Sequence, residues 1–264
     1  MLCQKPVGTE SLARLAARIR HGALEAVSPT RCAGCERPGE LVCPDCLERF
    51  HLIDPRHSCL RCGAPHGDLV CTECTPREES GAGAECELWA GGPDRCLAVA
   101  EFAEPLSRMI RAYKDAGEQR LFGPFAEMLL DCAQHAERVA GERYGDVLSA
   151  TDAIVFVPAT AAAFRRRGFD HMEAIARHLS ELAGIPLVDV LVKLGDADQR
   201  VLGRMGRQAR ARDAYRVLER VDERRILLLD DVITTGATIV AATRTLRGAG
   251  AVHVDALALA RVLQ

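Results

Sequence analysis

The chain has no run of about 18 consecutive apolar residues, so no membrane-spanning helix is expected. Its first twenty residues lack a continuous apolar core of the secretory type, because Arg14, Arg18 and Arg20 interrupt it; the cytoplasm is the expected compartment. Net charge is only -3 at pH 7, which leaves no global electrostatic drive toward nucleic acid or a membrane surface. Aromatic residues make up just 4%, too few for an extended base-stacking platform. No Gly-x-x-x-x-Gly-Lys-Ser/Thr loop occurs either, which removes the Walker type of nucleotide site. What remains is a chain of 264 residues with an ordinary apolar fraction, long enough for one sizeable core and a smaller module.

Cysteine, by contrast, is plentiful. Eight of the twelve form four C-x-x-C units: Cys32/Cys35, Cys43/Cys46, Cys59/Cys62 and Cys71/Cys74. In a reducing compartment such knuckles suggest metal rather than disulfides, since two residues between thiolates aim both sulfurs at one tetrahedral ion. "CAGCERPGELVCPDC" and "CLRCGAPHGDLVCTEC" align as a repeat with one inserted residue, His66. A duplicated unit most simply closes its own site, which favours two sequential zinc ribbons over cross-braced wiring. Sites closed by four thiolates are structural, because no coordination position stays open for chemistry. Cys3, Cys86, Cys96 and Cys132 follow no ligand spacing.

The expected organisation runs from an amphipathic helix (1–28, with Leu12, Leu15, Ala16, Ile19 and Ala23 on one face) to the double ribbon (29–76). A glycine-rich linker (77–95) and a larger α/β domain (96–264) follow. In that domain strand-like runs ("CLAVAEF", "AIVFVP", "PLVDVLVKL", "ILLLDD", "HVDALALARV") alternate with helical patterns, the signature of a parallel sheet flanked by helices. Ligands of such sheets bind beyond the carboxyl ends of the strands.

One strand ends there in two adjacent acids, "ILLLDDVITTGAT". Asp230 and Asp231 alone would suit a solvated strand end equally well. The segment as a whole says more. Thr234, Thr235, Gly236, Ala237 and Thr238 lead into a helix whose N-terminus would present backbone N–H and hydroxyl donors to one phosphate. The acids can accept hydrogen bonds from a ribose diol, so the pair of features describes a ribose 5-phosphate pocket.

The segment resembles, position by position, the signature of type I phosphoribosyltransferases. With the cysteine repeat, "IRAYKDAG", "VPATAAAFRRRGFD" and "QRVLGRMGRQARARDAYRV" in this order, the chain from about Leu24 to Val262 resembles the ComF family, a double zinc ribbon followed by a type I phosphoribosyltransferase-like domain. The resemblance implies a site for PRPP. Asp230 and Asp231 would hold the ribose hydroxyls, Thr234 to Thr238 the 5-phosphate, and the turn at Ala159 and Thr160 would lie at the pyrophosphate. Arg166, Arg167, Lys114 and Arg207 would approach the same ligand, and Gln199 to Arg216 would form a hood loop over it. The family's usual Asn-Gln after Arg-Gly-Phe is replaced by Asp170 and His171, with His171 expected to cap a helix or face solvent.

The implied activity is transfer of a phosphoribosyl group from PRPP, with Mg2+, to a nucleobase or other nitrogen acceptor, with pyrophosphate released. Two alternatives stay open: a non-catalytic PRPP or nucleotide sensor with the zinc ribbons as its partner-docking surface, and an adaptor in competence, alongside DNA-uptake proteins, that binds single-stranded DNA through Arg200, Arg204, Arg207, Arg210, Arg212 and Arg216. Tyr215 is the one aromatic residue within that basic segment.

Overall fold

A computed structural model describes residues 29–67, 70–72, 74, 89–194 and 214–263. The amphipathic helix expected over 1–28 and the arginines from Arg200 to Arg212 lie outside the described residues. The chain divides into two compact units, Met1–Glu48 and Arg49–Gln264, so the second four-cysteine set belongs to the same unit as the sheet.

In the first unit a tight knuckle carries Cys32 and Cys35, closed by hydrogen bonds from Cys32 N to Arg37 O and from Glu36 N to Cys32 O. A one-turn helix, Pro44–Leu47, follows Cys43 and brings Cys46 inward.

The second unit is built on a four-stranded parallel sheet in the order β1-β6-β5-β2. These are β1 (Arg95–Glu101), β2 (Ala153–Phe156), β5 (Arg225–Ile233) and β6 (His253–Arg261). The two central strands are buried along nearly their whole length, as β5 and β6 must be when both faces are covered. Between β2 and β5 in sequence come two short strands, β3 (Leu191–Lys193) and β4 (Tyr215–Val217), which pair antiparallel as a separate hairpin. The strand expected over "PLVDVLVKL" is therefore divided. Leu187 forms a bridge beside Ile154 at the β2 edge, whereas Leu191–Lys193 leaves the sheet for the hairpin.

Five helices matter for the site: α1 (Leu106–Asp115), α2 (Phe122–Val139), α3 (Ala161–Arg167), α4 (His171–Ala183) and α5 (Ala237–Gly248). On α1 the spacing of Leu106, Met109, Ile110 and Tyr113 forms one buried stripe. Helices α2 and α4 pack together and cover one sheet face, where alternate residues such as Phe156, Leu229 and Leu257 are buried. The opposite face, with Val155, Leu228 and Ala256, shares a core with Ile239 and Ala242 of α5, with Cys59, Cys62 and Cys74, and with Trp89. Small residues on this face of β6, Ala256 and Ala258, leave room for that second layer.

Charges also hold the sheet. The Arg95 guanidinium forks onto Asp255, donating from Nε to Oδ1 at 2.8 Å, and it also donates to Asp146 at 2.6 Å. Arg225 reaches the other oxygen of Asp146 at 2.8 Å, which ties β1, β5 and β6 together. Asp255 is 2% exposed, so loss of its partner leaves a buried carboxylate under-compensated. Arg95→Met should lower stability by about 3 kcal/mol. Urea unfolding would measure this, and adding Asp255→Asn should recover part of the loss.

Candidate functional site

Asp230 and Asp231 lie among the last four residues of β5, which runs on past them to Ile233, and are only 7% and 6% exposed. Two adjacent carboxylates in such a place cannot both ionise without help. Asp231 receives that help. Lys114 Nζ, from the last turn of α1, lies 2.5 Å from its Oδ2, and His171 Nε2 lies 2.6 Å from the same atom. Burial works against ionisation, but the His171 hydrogen bond and the Lys114 charge outweigh it and hold Asp231 down at about 2. Asp230 goes the other way. Burial first, and then the Asp231 charge, push its carboxyl up to about 8, although it accepts a hydrogen bond from Asp231 N at 2.9 Å.

His171 opens α4, where Asp170 is the N-cap and accepts from Met172 N at 2.9 Å. The helix start thus fixes the imidazole. Its own carbonyl accepts from Tyr113 Oη at 2.6 Å, and Tyr113 packs edge-on against Phe125 and Phe169. Arg167 NH1 lies 3.4 Å from His171 Nδ1, so both ring nitrogens have a polar neighbour within reach, Asp231 at Nε2 and Arg167 at Nδ1. The expectation that His171 caps a helix or faces solvent does not hold. Asp170 takes the capping role, and the histidine points inward to the acid pair.

The turn before α3 is tied to the same group. Ala159 N donates to Asp170 Oδ2 at 2.7 Å, and Thr160 caps α3 by accepting from Ala163 N at 3.1 Å. Of the arginines that follow, Arg167 is largely enclosed and reaches Asp115, whereas the Arg166 side chain is exposed. Arg207 lies outside the described residues.

Beyond the acids, Thr234 and Thr235 are exposed, Gly236 is buried, and α5 starts at Ala237. Gly236 has φ +81°, and a Cβ added there would lie 2.3 Å from Trp89 ring carbons. The chain's single tryptophan therefore backs the threonine turn. Tyr215 sits on β4 within the core rather than in the open basic segment, close to Asp230 and Thr238; burial and then the Asp230 charge push its phenol above its ordinary range. A stacking role for Tyr215 on a nucleic acid is incompatible with that position. Lys193, 5.6 Å from the Tyr215 ring, also favours the charged form of Asp230.

Each cysteine repeat closes on itself. Cys32, Cys35, Cys43 and Cys46 form one set and Cys59, Cys62, Cys71 and Cys74 another, with all sulfurs of a set within 4.8 Å of one another. Cys35–Cys43 and Cys62–Cys71 sulfurs lie 3.6 and 3.7 Å apart. Bonds of about 2.3 Å to a tetrahedral zinc ion imply sulfur separations of about 3.8 Å, so both sets fit that ion.

Residues 127–264 match the model of the phosphoribosyl transferase domain, and the chain belongs to that family. DNA utilization protein YhgH of Escherichia coli (strain K12) is 28% identical over 209 residues, spanning 78% of this chain and 84% of that protein. Competence protein F of Haemophilus influenzae is 28% identical over 173 residues, 64% of this chain and 73% of the relative. Competence protein ComFC of Streptococcus pneumoniae is 25% identical over 222 residues, 83% and 87% respectively. The ComF resemblance drawn from the sequence is borne out by these relatives together with the two cysteine sets.

The acid pair generates a pH effect with a defined sign. Asp230 binds its proton more tightly in the folded state, so it withdraws stability as pH rises from about 4, its unfolded value, towards 8. Asp230→Asn removes that titration. Thermal unfolding across pH 5 to 9 should show the variant gaining on the wild type as pH rises, and parallel curves would contradict the assignment.

Proposed function

We propose that this chain binds PRPP together with magnesium and transfers its phosphoribosyl group to a nitrogen acceptor, releasing pyrophosphate. The observation that carries this reading is the juxtaposition at the end of β5: a buried acid pair, then an exposed threonine turn at the N-terminus of α5. One feature suits a ribose diol and the other, at the N-terminus of a helix, suits a phosphate.

In this reading Asp230 and Asp231 accept hydrogen bonds from the ribose hydroxyls, and Thr234, Thr235, Gly236, Ala237 and Thr238 surround the 5-phosphate. Ala159 and Thr160 lie towards the pyrophosphate, with Arg166 and Arg167 behind them and Arg207 approaching from the hood loop. The acceptor nitrogen forms its bond to C1 of the ribose as the bond from C1 to the pyrophosphate oxygen breaks. Positive charge that develops on the ring is stabilised by the carboxylates beneath it. Magnesium bound with the substrate would neutralise the leaving group, and the hard oxygens of Asp230 and Asp231, with those of the substrate, suit that ion. Lys114 serves as the internal cation of Asp231 until sugar hydroxyls arrive. Zinc fills both cysteine sets. The names of the relatives support a setting in DNA uptake or utilization.

Calorimetric titration of the zinc-loaded protein with PRPP and Mg2+ tests the pocket. Binding should weaken about a hundredfold or more in Asp230→Asn/Asp231→Asn, as expected when two acidic hydrogen-bonding partners, one of them ionised, are lost together. Trp89 emission should shift on binding in the wild type, because its ring backs Gly236. Release of pyrophosphate on addition of nucleobases separates a transferase from a sensor that only binds. A wild type that does not bind PRPP ends the proposal.

A further inference from the structure

The threonine turn is anchored from behind by a residue near the far end of the chain. Arg261, the last residue of β6, is 2% exposed. Its Nε donates to the Cys62 carbonyl at 2.9 Å. Its NH1 donates to the carbonyls of Ile233, at 3.2 Å, and of Thr234. One guanidinium thus bridges the second four-cysteine set and the first residue of the phosphate turn. Backbone bonds extend the connection: Val262 N donates to Ile233 O at 2.9 Å, and Cys96 N donates to Leu60 O at 2.7 Å, which seats the knuckle on β1.

The chemistry of this bridge is directional. At the end of β5 the Ile233 carbonyl accepts from both Val262 N and Arg261, while the Thr234 carbonyl accepts from Arg261. A planar guanidinium presents donors in a fixed fork, so the spacing of its acceptors is fixed too. The Cys62 carbonyl is held where the knuckle places it, and the knuckle is held by whatever ion its four sulfurs bind. Release of the ion frees the knuckle, and with it one of the two ends that position Arg261. The other end is the turn whose N–H and hydroxyl groups face the ligand.

We propose that Arg261 is a positioning residue that couples metal occupancy of Cys59, Cys62, Cys71 and Cys74 to affinity for the 5-phosphate of the ligand. This rests on the phosphate-turn reading given above. The first set, Cys32, Cys35, Cys43 and Cys46, belongs to the other compact unit. Occupancy of the second set is the one that tunes the pocket.

The test uses the full-length zinc-loaded chain with ribose 5-phosphate as the probe. Arg261→Met and Arg261→Lys should keep two zinc ions per chain and unfold cooperatively, yet bind the probe about tenfold more weakly. Lysine does not rescue, because it restores the charge without the fork. In Cys32→Ser/Cys35→Ser only the second set remains, and chelator titration then reads that site alone. Linkage is reciprocal, so ribose 5-phosphate must hold zinc more tightly by the same factor by which zinc tightens ribose 5-phosphate. Equal binding by wild type and Arg261→Met, or zinc release indifferent to the probe, overturns the coupling while leaving the pocket intact. A wild type that fails to bind ribose 5-phosphate overturns both the turn assignment and the coupling.

Discussion

Two carboxylates placed side by side inside a protein are the constraint around which the second unit is arranged. Their mutual repulsion and loss of solvent would be prohibitive unless one were neutralised and the other paired. The structure does both: Asp231 is flanked by Lys114 and His171, and Asp230 holds its proton. The helices on that side follow from this need. Helix α1 has to end where its lysine reaches the acid, and α4 has to begin at the histidine. Tyr113 ties the two helices by donating to the His171 carbonyl. A chain that had only to fold would gain by replacing this cluster with apolar residues, so its retention points to a ligand.

The other flank of β5 is built on different physics. No charged cluster surrounds the threonine turn among the described residues; it is held by shape and by backbone donors and acceptors. Gly236 lies against the Trp89 ring, where any side chain would collide. Arg261 adds hydrogen bonds to the Ile233 and Thr234 carbonyls at the strand end. Trp89 and Cys62, from well-separated parts of the sequence, share one core, and Arg261 hydrogen-bonds the Cys62 carbonyl, so the second cysteine set is an integral part of the sheet's unit.

Local signals in the sequence were strong where spacing alone carries the information. The C-x-x-C repeats announced both four-sulfur sets, because two-residue loops aim their thiolates whatever surrounds them. Helices α1, α2, α4 and α5 were visible in their apolar period and their terminal glycines, and four of the five expected strands stand in the parallel sheet. The exception is instructive. "PLVDVLVKL" has the composition of a buried strand, yet only its first residues reach the β2 edge; the rest pairs with Tyr215–Val217, a partner that no local pattern names.

Sequence by itself therefore determined the class of fold, the two cysteine sets and the acid–threonine segment, since each depends on residues close together in the chain. Tertiary structure alone decided which groups complete the pocket. His171 reads as a helix cap until α4 is docked against β5, and the contact of Lys114 with Asp231 appears only once α1 is placed. Trp89 looked like part of a linker, and Arg261 like the last residue of a strand. Their roles come from contacts across tens or hundreds of residues, and only packing of the sheet and its two layers specifies those.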